Sequence, residues 1–151
     1  MSALKRPAVA FPPPLVPLLG IILGAFLDRV LPWQLPALPR QGAALAMIAA
    51  LVALWAVLTL RHHRTTVLPQ RAATTLVMAG PFRFSRNPIY LAFLLVQLGA
   101  AAAWGSVGML LTLPIGMLIL QRWVIAPEEQ FHAQQFGDAW HSYRQRVRRW
   151  L

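Results

Sequence analysis

Apolar residues in this chain fall into four runs separated by short polar or proline-broken stretches. The first, roughly residues 15–30, reads LVPLLGIILGAFL before Asp28 and Arg29. The second, residues 43–60, reads AALAMIAALVALWAVLTL and holds no charge. The third covers residues 88–104 and the fourth residues 107–125. Crossing a hydrocarbon core about 30 Å thick takes about 20 mostly apolar residues in a helix. The second run reaches that length unaided; the first does so only with its flanks. Backbone groups in lipid must be satisfied within their own segment, so the runs are expected to be helices. Strand-like alternation is absent. Only Gly105 and Ser106 separate the third and fourth runs, which forces a tight antiparallel hairpin. The expected fold is therefore all-α: a polytopic membrane protein with about four transmembrane helices, residues 1–151 forming one domain.

Beyond the fourth run the pattern changes. The tail reads APEEQFHAQQFGDAWHSYRQRVRRWL. Pro127 suits the first turn of a helix, and Glu128 and Glu129 lie near its positive end. Gly137 is expected to stop that helix and Asp138 to cap the next. Phe136, Trp140, Tyr143, Val147 and Trp150 then recur at helical spacing, with Arg144, Arg148 and Arg149 largely off that face. The pattern predicts an amphipathic helix lying at the membrane interface, or packed on the ends of the spans, or both.

Composition sharpens the membrane reading. The chain is 58% hydrophobic and 12% charged, against about a quarter charged in a soluble domain. It has no cysteine, which removes disulfides and Cys-based zinc sites. Lys and Arg number 14 against 4 Asp and Glu. Such a balance suits nucleic acid or an anionic membrane; the arginines flank apolar runs, which decides for the membrane. With four spans, twelve basic residues fall on one side and two, Arg29 and Arg40, on the other. The positive-inside rule puts both termini and the loop around residues 61–86 in the cytoplasm, as in a bacterial inner-membrane protein. Lys5 and Arg6 precede the first run as in a signal peptide, but no small-residue cleavage site follows, so the run is read as a retained helix.

Two polar elements stand out. AGPFRFSRNPIYL, residues 79–91, sits directly before the third run. Pro88 suits the first turn of a helix and Asn87 can cap it, and free N–H groups at such a start favour an anionic or polar group. Glu128 and Glu129 follow the fourth run. Each has a plain explanation: Arg83 and Arg86 as anchors to lipid phosphates, the glutamates as a favourable helix start. His62 and His63, in RHHR, read as solvated groups at a helix end; neither they nor His132 and His141 are assigned to a metal. GIILG, residues 20–24, fits close helix packing.

Taken together, TLVMAGPFRFSRNPIYLAF and EEQFHAQQFGDAWHSYRQRVRRW, with an apolar hairpin between them, resemble the isoprenylcysteine carboxyl methyltransferase and phospholipid methyltransferase superfamily of integral membrane enzymes. The matching elements are Gly80 and Phe82; Arg86, Asn87, Pro88 and Tyr90; Glu128 and Glu129; Phe136, Gly137, Trp140 and Tyr143; then Val147, Arg149 and Trp150. They cover about residues 74–151. The resemblance implies methyl transfer from S-adenosylmethionine to a lipophilic or amphiphilic acceptor, be it a carboxylate, an amine or a thiol. It implies cofactor contacts from Thr75, Leu76, Val77, Phe82, Asn87, Pro88, Tyr90 and Glu128, and catalytic roles for Arg86, Glu129 and Tyr90. Where prenyl-protein members carry an arginine four residues before the first glutamate, this chain has Val124, with Arg122 two residues off. The soluble nucleotide fingerprint GxGxxG is absent. The competing reading is a non-enzymatic membrane protein, a transporter subunit or lipid-binding scaffold. Transport sites carry ionisable groups within the spans, and these runs hold only Asp28, at an end.

Overall fold

The computed structural model describes residues 7, 9, 11–68 and 71–151; Lys5 and Arg6 lie outside them. Helix α1 is Leu15–Leu27, α2 Pro39–His62, α3 Pro88–Trp104, α4 Val107–Leu120 and α5 Ala126–Arg146. A short 3₁₀ turn, Gly80–Arg83, precedes α3, and a π-helical segment, Gln121–Ile125, joins α4 to α5. Among the described residues the only extended pairing is an isolated bridge between Gln34 and Ser106.

The all-α expectation holds, and the third and fourth runs have the bounds read from the pattern. The count of spans is coarser than expected. Two helical stretches are long and apolar enough to cross a membrane, Pro39–His62 and the one beginning at Val107. Helix α1, with 13 residues, and α3, with 17, are shorter; at about 1.5 Å per residue they are about 20 and 26 Å long. Large apolar side chains cover their outer faces: Leu18, Leu19, Ile22, Leu23 and Phe26 on α1, and Met47, Ile48, Leu51, Leu54 and Leu58 on α2, are all exposed. In water so continuous an apolar surface would drive association; against lipid it is ordinary. The protein is a membrane protein.

The chain groups into two compact units. One comprises Pro13–Leu51 and Tyr90–Leu120. In it, α1 and α4 approach through small residues: a Cβ on Gly108 would lie 2.1 Å from the Gly24 carbonyl oxygen, and one on Gly24 would lie 2.6 Å from Met109 backbone atoms. GIILG thus serves helix packing, as expected. Polar groups within this apolar unit are paired across helices. Gln97 Nε2 donates to the Met109 carbonyl and to Thr112 Oγ1, and Thr112 Oγ1 donates to the Gly20 carbonyl. Asp28 accepts from the Gly108 N–H at 2.7 Å and from Ser106 Oγ, so the only acid in the four runs caps the start of α4.

The other unit includes Val52–Ile89 and Gln121–Leu151 and carries the polar elements singled out above. Gly80 opens the 3₁₀ turn at φ +57, and a Cβ there would lie 2.7 Å from Thr59 Oγ1 on α2. Both facts require glycine. Gly137 does not end the tail helix as expected. It bends it, at φ 50 and ψ −123, and the helix resumes to Arg146. Val147 is extended, φ −119 and ψ 129. The helical face read from Phe136 to Trp150 is therefore helical only as far as Tyr143. Trp140 and Tyr143 on it are buried within the protein, which realises the packed arrangement.

Candidate functional site

The site is built on the turn before α3 and on α5. The 3₁₀ turn, with Pro81 near its start, ends at Arg83, and the chain then runs through Ser85, Arg86 and Asn87 into Pro88. Ser85 Oγ accepts from the Asn87 N–H at 3.1 Å, which shapes this entry. From the other side, α5 brings Glu129 in its first turn, acids there being favoured by the helix dipole.

Arg86 and Glu129 meet. Arg86 Nη1 lies 3.0 Å from Glu129 Oε1, with the two side chains 8% and 12% exposed. This is a charge contact without hydrogen-bond alignment: Arg86 Nε and Nη1 are buried and make no hydrogen bond. Glu129 is bonded instead by Arg149, whose Nε donates to Oε1 at 3.1 Å and whose Nη2 donates to Oε2 at 2.5 Å. Burial lowers the Arg86 pKa from its ordinary value, with Glu129 opposing and Arg149 and Arg144 adding to the fall. The hydrogen bond to Glu129 raises that of Arg149. Two partly or wholly buried guanidinium groups thus share one carboxylate, and the cluster carries an uncompensated positive charge.

Aromatic groups close around it. The Arg86 guanidinium carbon lies 5.6 Å from the centre of the Trp140 ring, a cation–π contact. Trp140 also meets the ring of His132 edge-on at 5.1 Å, and His132 lies 5.7 Å from Phe136. Burial pushes the His132 pKa down to about 4, Glu129 opposing, so the imidazole is neutral at physiological pH. Tyr143 donates to the Phe82 carbonyl at 2.7 Å, which ties α5 to the 3₁₀ turn; burial raises its pKa, Arg86 opposing.

The last residues form a strap across the entry to α3. Arg86 N–H donates to the Arg148 carbonyl at 3.0 Å. Ser85 Oγ and Asn87 Nδ2 both donate to the Arg149 carbonyl, at 3.3 and 3.0 Å. Trp150 Nε1 donates to Gln121 Oε1 at 3.5 Å.

A family model described as phospholipid methyltransferase matches residues 39–139. The chain belongs to that family. A stretch of 63 residues, 42% of this chain, is 36% identical to the whole of an uncharacterized protein of Haemophilus influenzae. No solved structure matches the chain.

Within this family member the residues singled out from the sequence are distributed unevenly. Arg86, Asn87, Pro88, Glu128, Glu129 and Phe82 share one unit, and Arg86 touches Glu129 there. Thr75, Leu76 and Val77 belong to the same unit, on the irregular segment before the 3₁₀ turn; Thr75 is exposed, Leu76 half-buried and Val77 buried. Tyr90 belongs to the other unit, buried in the first turn of α3 with its ring 6.2 Å from that of Phe93. Asn87, expected to cap α3, spends its side-chain amide on the strap. Arg149 and His132 entered no expected site. A chain with 4 acids had to pair a buried glutamate with some arginine, but nothing in the sequence distinguishes Arg149 from Arg144, Arg146 or Arg148. His132 carries no signal beyond helical spacing from Glu129 and Phe136.

Proposed function

We propose that this protein transfers a methyl group from S-adenosylmethionine to a lipophilic or amphiphilic acceptor at the cytoplasmic membrane face. Family membership supports methyl transfer. The observation that carries the cofactor reading is the buried Nε–Nη1 edge of Arg86, two donors without hydrogen bonds beside a helix start. Buried donors of this kind are costly unless a ligand satisfies them, and a guanidinium edge fits a carboxylate. The cofactor has one. Glu128 is suited to accept from its ribose or its amine, and Phe82 and the start of α3 at Asn87 and Pro88 to line the remainder.

Once bound, the cofactor supplies an electrophilic methyl group on a sulfonium. Arg86 holds the carboxylate end. Trp140, Phe136 and His132 keep water from the guanidinium and strengthen the charge interactions there. Glu129, engaged by two arginines, fixes the charged side chains in place. The work of such a site is positioning and exclusion of water. The acceptor is expected to arrive from the bilayer, because the helices present continuous apolar faces outward.

Purified protein in detergent tests the reading by titration calorimetry with S-adenosylhomocysteine. Glu128→Ala and Asn87→Ala should each weaken binding by roughly ten- to a hundred-fold, the value of a charged or partly buried hydrogen-bond partner. Arg40→Ala should bind as the parent does. Unchanged binding in both site variants, with the fold intact, rejects the assignment. A second assay compares methyl transfer from labelled S-adenosylmethionine to long-chain acceptors and to short water-soluble analogues; equal turnover of the two rejects entry from the bilayer.

A further inference from the structure

We propose that Arg149 is a positioning residue: by engaging both oxygens of Glu129 it stops that carboxylate from closing onto Arg86, and so keeps the Nε–Nη1 edge of Arg86 available to an oxyanion. The inference rests on the reading of Arg86 as the holder of an anionic ligand group. A guanidinium and a carboxylate left to themselves adopt a fork-on-fork pair with two parallel N–H···O bonds. Glu129 makes that pair with Arg149, at 3.1 and 2.5 Å. With Arg86 it makes only the unaligned contact.

The choice of partner runs against burial. The Arg149 side chain is 28% exposed and that of Arg86 8%. An unmet donor costs more the more deeply it is buried. Desolvation alone would therefore favour giving the fork to Arg86 and leaving Arg149 to water. The backbone holds the opposite arrangement. The Arg149 carbonyl is fixed by Ser85 Oγ and Asn87 Nδ2, and the Arg148 carbonyl by the N–H of Arg86 itself. The segment that carries Arg86 thus also fixes the residue that keeps Glu129 away from it. Nothing in packing requires a buried guanidinium with two unmet nitrogens; a site waiting for an oxyanion does. Ligand binding then avoids the cost of breaking an Arg86–Glu129 fork. The ligand chemistry is a carboxylate or phosphate oxygen, from the cofactor or from the acceptor.

Three variants of the full chain in detergent, Arg149→Gln, Arg149→Lys and Arg149→Gln/Glu129→Gln, test this with two probes. One probe is S-adenosylhomocysteine, read by calorimetry. The other is inorganic phosphate, read as the rise in Tm over chloride at equal ionic strength. Arg149→Gln should lose about ten-fold or more in affinity, because Glu129 collapses onto Arg86. Arg149→Lys, a single cation able to hold one oxygen, should recover part of it. The double variant removes the carboxylate that would collapse, and should bind better than Arg149→Gln. A merely structural role predicts that the double variant binds no better, since it has lost still more of the cluster. The pattern with S-adenosylhomocysteine supports the inference with the cofactor as the source of the oxyanion. The same pattern with phosphate alone supports it with the acceptor as source, and in that case the cofactor reading above fails on its own. Parental binding in Arg149→Gln, no recovery in the double variant, or no response of the parent protein to either probe overturns it.

Discussion

His132 sits among aromatic rings one helical turn from Glu129, and its environment gives it a measurable signature. Its pKa falls from 6.5 to about 4 on folding, so the unfolded chain takes up a proton at a higher pH than the folded one. The stability of the neutral, buried form is therefore complete above about pH 6.5 and is lost progressively toward pH 4, by on the order of 3 kcal/mol. His132→Leu should remove that loss: the drop in Tm between pH 7.5 and pH 5 should be smaller in the variant than in the parent. An equal drop in both places the acid sensitivity elsewhere. At this scale the sequence was a partial guide. Arg86, Asn87 and Glu129 were legible because a proline-started helix and scarce acids are local features. Arg149 was not, because its importance comes from which carbonyl the strap presents to Ser85 and Asn87, and that is a tertiary fact.

Two glycines show how differently the elements depend on one residue type. On Gly108 an added Cβ meets the Gly24 carbonyl and Asp28 Oδ1, at 2.1 and 2.9 Å, so Gly108→Ala must push α4 from α1. On Gly137 an added Cβ meets nothing within 4 Å, and only the φ of 50 is unfavourable. Gly108→Ala should cost about 1–3 kcal/mol or more, through overpacking. Gly137→Ala should cost about 1–2 kcal/mol, through backbone conformation alone. Thermal unfolding in detergent compares them, and a Gly137→Ala loss larger than that of Gly108→Ala contradicts both assignments. Helix bounds were legible where they rest on composition: α3 and the α4–π stretch start and stop where Pro88, Trp104, Val107 and Ile125 suggested. They were not legible where a residue serves a neighbour. Asp28 leaves α1 to cap α4. Gly137 bends α5 instead of ending it, and the π segment has no sequence marker at all.

Across the whole molecule, the twelve-to-two division of basic residues is the argument for orientation, with four crossings and both termini in the cytoplasm. A chain without native cysteine suits a labelling test. Single cysteines at Thr66 and Arg71 should be shielded from an impermeant reagent added outside cells, and one at Arg40 should react; strong external labelling at Thr66 or Arg71 refutes the orientation. The class of fold was legible because lipid leaves the backbone no alternative to helix. The order in which side chains share Glu129 was not, because it depends on hydrogen bonds between residues about sixty positions apart. One consequence concerns the π segment Gln121–Ile125. A π turn holds one residue more than the α-helical ladder needs, so it works as a shift of reading frame for everything after it. Each residue turns a helix by about 100°. Deleting one residue from this stretch would let the ladder become regular and would turn Glu128 and Glu129 by about that angle relative to Gln121. The deleted chain should keep its helical circular dichroism and lose S-adenosylhomocysteine binding, a protein with every site residue present and all of them out of phase.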